Sequence, residues 1–242
     1  MELKKAIDSR QSIRKYKQGE IPDADIRAII EAAGKAPSGD NRQPWYFIAV
    51  KDPVLRNKIA DAVEEKASRA AEIIAEGSGA EADRAGNAIL KNSGEEELPK
   101  AATDSEKFMS FTRRFITFFR DAQVLIIVMS KRPAANFFAK AMMRTEKEQE
   151  NFLGQLVYKL NPTMQSIGAA LENLTLKAVE LGYGTCWQTG PNAAWKEIGA
   201  LLKETGIEKP DYDIAAFMPL GIPEDDQSSP GRKPVDEILT IL

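Results

Sequence analysis

Apolar positions along the chain change period several times, and each change marks an element. Leu3, Ala6 and Ile7 recur at helical spacing and predict a short first helix ending near Ser9. Asp23 is placed to cap a second helix whose inward stripe is Ile26, Ile29, Ile30 and Ala33. Trp45 to Val50 reads as a buried strand. Asp52-Pro53 then opens another helix, a cap residue followed by proline, with Leu55, Ile59 and Val63 inward. From about 66 to 103 large apolar residues become sparse and Gly77-Ser78-Gly79 interrupts, which predicts an inserted, mobile helical excursion of lid type. Phe108, Phe111, Phe115 and Phe118 recur on the next helix, a stripe suited to core or interface.

Ala122 to Met129 is an unbroken apolar run of strand length, expected in the middle of a sheet. The stretch 131–152 mixes Phe137, Phe138, Met142 and Met143 with many charges and reads as a cover for a pocket or a partner subunit. Asn161-Pro162 opens a long helix with Ile167, Leu171, Leu174, Ala178 and Leu181 inward, stopped at Gly182. Tyr183 to Gln188 reads as a short strand in which Gly184 lets backbone lie close to something flat. Pro191 starts a helix with Trp195, Ile198, Leu201 and Leu202 inward, ending at Gly206. Tyr212 to Gly221 is a further apolar strand, and an apolar tail runs through Val235, Ile238 and Ile241. These elements form one domain over 1–242, because the segments flanking each excursion belong to one core.

With 242 residues and 43% hydrophobic content the chain can bury a sizeable core. A net charge of -3 supplies no overall basic field for nucleic acid. No stretch approaches the ~18 apolar residues of a membrane span, and the N-terminus lacks a signal-peptide core, so the expected location is cytoplasmic. The chain has no histidine, which removes histidine triads, histidine bases and histidine metal sites, and its one cysteine, Cys186, removes an intrachain disulfide. Cys186 between Thr185 and Trp187 reads as packing rather than thiol chemistry. Enzymatic chemistry would therefore rest on a bound organic cofactor.

Two stretches carry candidate chemistry. In an extended segment Arg10, Ser12 and Arg14 share one face, and two guanidinium forks around a hydroxyl suit a phosphate monoester; the other reading is a solvated basic loop. The loop Pro37-Ser38-Gly39-Asp40-Asn41-Arg42-Gln43-Pro44-Trp45 is a turn-rich polar cradle, with Pro37 and Gly39 punctuating a loop of unusual backbone freedom and Ser38, Asn41 and Gln43 able both to donate and to accept hydrogen bonds. No Gly-x-Gly-x-x-Gly follows a strand, so no dedicated dinucleotide fold is expected.

Taken with Gly-Tyr-Gly-Thr-Cys-Trp at 182–187 and Gly-Arg-Lys-Pro at 231–234, these motifs resemble the nitroreductase family of FMN-dependent oxidoreductases, from Ser9 to Leu239. The resemblance implies an α+β fold with a mixed, mostly antiparallel central sheet surrounded by helices, an intertwined homodimer and two interfacial FMN sites. It implies flavin contacts at Arg10, Gln11, Ser12 and Arg14 for phosphate and ribityl chain, with Arg232 added late. It implies Pro37, Ser38, Gly39 and Asn41 reaching the flavin from the partner subunit, Gly184 and Thr185 near the reactive ring edge, and Gln165 facing the pocket. The implied reaction is ping-pong hydride transfer from NAD(P)H to a nitroaromatic, a quinone or a similar small acceptor, with no essential acid or base among the side chains. Alternatives are a reductive dehalogenase or flavin-processing enzyme of the same fold, and a non-catalytic flavin-binding redox sensor.

Overall fold

The structure is a computed structural model that describes residues 2–76, 105–132, 161–225, 227 and 229–242. Helices α1 (Leu3–Ser9) and α2 (Asp23–Gly34) lead to β1 (Trp45–Val50), followed by α3 (Pro53–Glu76), α4 (Ser105–Phe115) and β2 (Val124–Lys131). Then come α5 (Pro162–Glu180), β3 (Gly184–Thr185), α6 (Trp195–Glu204) and β4 (Tyr212–Gly221). The strands form one sheet in the order β1-β2-β4-β3, and every ladder is antiparallel. A parallel bridge between Ser12 and Thr185 makes the arrangement mixed.

The unbroken apolar run of β2 is explained by cover on both faces. Val124, Ile126 and Val128 pack with Ile26 and Ile29 of α2 and with Ile167, Leu171 and Leu174 of α5. Leu125, Ile127 and Met129 point the other way, onto Ile59 and Val63 of α3 and Ile198 and Leu202 of α6. The result is a helix-sheet-helix sandwich whose strand alternation assigns each residue to one of two cores. The β2–β4 register shifts between Val128 and Met129.

Helix ends follow local chemistry. Asp52 accepts from Val54 N at 2.9 Å and opens α3, as its position ahead of Pro53 implies. Asn161 caps α5 in a left-handed conformation, φ 33, by accepting from Met164 N at 3.2 Å. Gly182, φ 86, closes α5 with bonds from Tyr183 N to Ala178 O and from Gly182 N to Val179 O.

Several expectations are corrected. Pro22, not Asp23, occupies the cap of α2; Asp23 is the first helical residue and pairs with Lys51 at 2.7 Å, which lowers its carboxyl below the usual range. β1 is an edge strand of this subunit rather than a fully buried one, with Tyr46 39% exposed. The strand after Tyr183 has only two ladder residues; the chain leaves the sheet at Cys186 and Trp187 and rejoins it by a bridge from Gln188 to Phe217. Trp195 is 55% exposed, because it stands at the first residue of α6 under the Lys196 ammonium, while Ile198 and Leu202 face inward. The excursion expected from 66 begins as a continuation of α3 to Glu76; 77–104, and 133–152 of the second insertion, lie outside the described residues, as does the side chain of Phe108.

Candidate functional site

The segment after α1 is a separate extended piece laid on the β3 edge. Ile13 N donates to Thr185 O at 2.9 Å beside the Ser12–Thr185 bridge, and Tyr16 bridges Pro223. Within the segment Ile13 and Tyr16 are buried, while Arg14 is exposed and Arg10, Gln11 and Ser12 are half-buried. Gly184 makes the docking of Ile13 feasible, since a Cβ there would lie 2.5 Å from Ile13 Cγ1. Gly221 does the same for Tyr16, with a would-be Cβ 2.3 Å from the ring. The sequence assigned Gly184 to a close approach by a flat ligand; within the subunit the close neighbour is Ile13.

Gln227 clasps this segment from the other side. Its Oε1 accepts from Arg14 N at 2.9 Å and Lys15 N at 3.1 Å, and its Nε2 donates to Lys15 O at 2.8 Å. Gln123 ties the same region together by accepting from Ile222 N and donating to Lys17 O, both at 2.8 Å. Neither glutamine carried a signal in the sequence, because each acts on backbone far away along the chain.

Ser12 and Arg14 line a cavity of about 650 Å³ together with Arg113, Arg114, Phe115 and Gln227. Among the described residues neither Arg10 nor Arg14 has an ion-pair partner within reach. Burial pushes the Cys186 thiol up, against the Arg14 guanidinium, the Ser12 hydroxyl and the Arg10 guanidinium, so the thiol stays protonated and behaves as core. Burial also pushes the Tyr16 phenol well up, and its OH donates to Ile13 O at 2.8 Å. Gly184 and Thr185 are both buried, and the Thr185 hydroxyl finds no partner among the described residues.

The polar loop before β1 is built differently from expectation. Gly39 has no left-handed φ; the left-handed residues are Asp40, Asn41 and Gln43, with φ of 54, 49 and 47. Three non-glycine residues in that region store strain of about 1–2 kcal/mol each, and the loop offsets it internally. Ser38 Oγ accepts from Gln43 N at 2.9 Å, Gln43 Nε2 donates to Asn41 Oδ1 at 3.2 Å, and Arg42 pairs with Asp40 at 2.9 Å. Pro37, Gly39 and Asn41 are exposed. No hydrogen bond or ion pair among the described residues joins this loop to Arg10–Arg14; the loop and α1 each pack against α5. Gln165 is exposed in the first turn of α5, and Arg232 folds onto its own turn, donating to Pro230 O at 2.7 Å. The structure thus brings Arg10, Ser12, Arg14, Gly184 and Thr185 together and leaves the 37–41 loop and Arg232 as separate groups.

Among the described residues no helix is long and apolar enough to cross a membrane, and no group of three His, Cys, Asp or Glu is placed to hold a metal. A sheet clad with helices on both faces, carrying a cationic segment docked on its edge, defines an α+β protein. More narrowly, the chain belongs to the nitroreductase family, whose description "Nitroreductase family" matches residues 7–222. It is similar to a BluB-like flavoprotein from Clostridium difficile 630, 38% identical over 100% of this chain and 99% of that one, TM-score 0.78. A structure of oxidized iodotyrosine deiodinase bound to FMN and 3-iodo-L-tyrosine shares the fold, at 21% identity over 96% of each chain and TM-score 0.63. A putative NADH dehydrogenase/NAD(P)H nitroreductase of Archaeoglobus fulgidus is 46% identical over 61 residues, 25% of this chain. The matched stretch spans 35% of that curated relative, and 23% of iodotyrosine deiodinase 1 of Mus musculus.

Proposed function

We propose that the chain is a cytoplasmic, homodimeric, FMN-dependent oxidoreductase that carries hydride from NAD(P)H to a nitroaromatic, quinone or similar small acceptor in ping-pong fashion. The observation that carries this reading is the docked Arg10-Ser12-Arg14 segment: two guanidinium groups without an ion pair among the described residues, with a hydroxyl between them, on backbone pinned from both sides. Such an arrangement fits a phosphate monoester, and the unpartnered Thr185 hydroxyl beside it fits a further polar contact. The full-length likeness to a flavoprotein supports the same cofactor.

In this reading Arg10, Gln11, Ser12 and Arg14 hold the FMN phosphate and ribityl chain, and Arg232 turns from its own carbonyls to join them. Pro37, Ser38, Gly39 and Asn41 serve the site of the partner subunit, in keeping with their separation from Arg10–Arg14 within one subunit. Gly184 and Thr185 would line the flavin ring near its reactive edge, and Gln165 would face the pocket. Bound FMN would supply the hydride relay; the side chains bind, orient and shield, and none is required as acid or base. The exposed apolar tail, with Ile241 85% exposed, suits docking on a second copy, and residues 1–242 act as one domain.

The test is the visible spectrum of purified protein, then anaerobic NADH followed by NADPH. Flavin bands that bleach support the reading; a colourless protein that takes up no added FMN refutes it. The deiodinase relatives favour a second reading, reductive dehalogenation. Iodide release from 3-iodo-L-tyrosine by the reduced protein, without turnover of nitroaromatics or quinones, would select it.

A further inference from the structure

The cavity beside Arg14 has a second cationic wall that the flavin reading does not use. It comes from the last turn of α4, where Arg113 and Arg114 face the Ser12 and Arg14 side across a space of about 650 Å³. Lys15 adds a further positive charge to the lining, and Asp121 is the one carboxylate among its described residues. Such a concentration of cations stands out in a chain whose net charge is -3.

Both guanidinium groups are held in place by something other than a ligand. Arg113 donates through Nε to Glu64 at 3.2 Å, which leaves its terminal amino groups for other acceptors. Glu64 is in turn fixed by Thr117 Oγ1 at 2.8 Å and Arg120 Nη2 at 3.1 Å. Burial pushes the Glu64 carboxyl up, but the hydrogen bonds from Thr117, Arg120 and Arg113 outweigh it and hold the group below the usual range, so it stays charged. Arg114 stacks over the Phe115 ring at 5.0 Å and makes no ion pair among the described residues. One arginine is thus oriented by a carboxylate and the other by an aromatic face, an arrangement that lowers the entropy lost on gripping an oxyanion.

We propose that Arg113 and Arg114 recognise an oxyanion on the small substrate that enters beside the flavin, so that the enzyme prefers anionic over neutral co-substrates. The shared chemistry is a phosphate monoester or carboxylate on a flat, partly apolar body, with Phe115 and Phe118 supplying the apolar surface of the cavity. Two sources carry that chemistry: the additional phosphate of NADPH on the donor side, and a ring carboxylate on the acceptor side. The inference rests on the flavin-dependent reading and deepens it.

The experiment compares wild type, Arg114→Gln and Arg113→Gln as FMN-loaded protein, with NADPH against NADH and 4-nitrobenzoate against nitrobenzene. Loss of one charge-assisted contact is expected to raise KM for the anionic member of one pair by about tenfold or more, with kcat and the neutral member little changed. A rise confined to NADPH identifies the donor as source; one confined to 4-nitrobenzoate identifies the acceptor. Equal KM values within twofold for all four compounds in both variants overturn the proposal. A second readout needs no turnover: calorimetric titration with adenosine 2′,5′-bisphosphate and with 4-nitrobenzoate, done with and without added FMN. Binding that weakens in the arginine variants supports the cavity assignment even for a chain that fails to hold flavin, whereas a flavin-loaded protein that binds neither probe refutes it while leaving the flavin reading intact.

Discussion

Gly184→Ala tests whether the docked segment is held as described. An alanine Cβ would lie 2.5 Å from Ile13 Cγ1, 2.7 Å from Ile13 Cβ and 2.8 Å from Ile13 Cγ2. Carbon atoms settle at roughly 3.5–4.0 Å, so about 1 Å of movement is needed. Rotating Ile13 cannot supply it, because Ile13 Cβ is fixed to the backbone and is itself too close. The backbone must separate, against the Ile13 N to Thr185 O bond at 2.9 Å and the Gln227 clasp on Arg14 and Lys15. Overpacking of this kind costs about 1–3 kcal/mol, and at ~2–4 °C per kcal/mol for a chain of this size Tm falls by about 2–12 °C. Gly39→Ala is the control: it has open space around the new Cβ and no left-handed φ, so its stability stays within about 0.5 kcal/mol of wild type. Thermal and urea melts of the two variants decide the matter. A Gly184→Ala protein melting within about 1 °C of wild type would show that Ile13 does not sit where the structure puts it. Ile13→Ala added to Gly184→Ala should not restore stability, since the Cβ clash persists.

Four further outcomes follow from the same geometry. Asn161→Ala loses the cap bond to Met164 N and leaves alanine in a left-handed conformation, a loss of about 2 kcal/mol, whereas Asn161→Gly loses less; a greater loss from glycine in urea melts contradicts this. Tyr183 donates to Asp25 at 2.6 Å, and that bond, with burial and the Asp25 charge, pushes its phenol up to about 12. The folded state therefore keeps the proton more tightly, so the contribution is full below the ordinary value of 10.0 and is lost as pH rises from there toward 12; the Tm gap between wild type and Tyr183→Phe should close over that window, and a gap that widens reverses the sign. Arg14→Ala should weaken FMN binding by about 1.5–3 kcal/mol in a fluorescence titration, and unchanged affinity removes Arg14 from the site. Deleting Pro234 to Leu242 should shift the proposed homodimer toward monomer in sedimentation; a fully dimeric truncation shows that the tail docks within its own subunit.

Legibility from the sequence tracked the range of the interactions involved. The long apolar run of β2 revealed a strand covered on both faces, and Asp52-Pro53 and Asn161-Pro162 revealed helix starts, because each depends on residues a few positions apart. The extended course of the Arg10–Arg14 segment was legible for the same reason. Strand order was not, so β1 read as interior when it lies at the edge. Glycines were hard to read: Gly39 looked like the flexible point of its loop, yet Asp40, Asn41 and Gln43 take the left-handed conformations, and nothing local announced that Gly184 also receives Ile13. Gln227 and Gln123 were invisible, since nothing local distinguishes a glutamine that clasps distant backbone from one in solvent.

The clasp on Arg14 also bears on when the protein can become competent during its synthesis. Arg14 and Gln227 are 213 positions apart, and the bond between them is among the most distant along the chain. A growing chain presents Arg10–Arg14 long before Gln227, so that segment stays unsupported on that side until residue 227 has been made. On the proposed flavin reading, uptake of the cofactor should therefore wait until Gln227 has been made and has closed on Arg14 and Lys15. Stalled chains ending at 221 and at 232, purified with their ribosomes extended by a linker, would separate in flavin uptake; equal uptake by both would place the maturation step earlier, at Thr185.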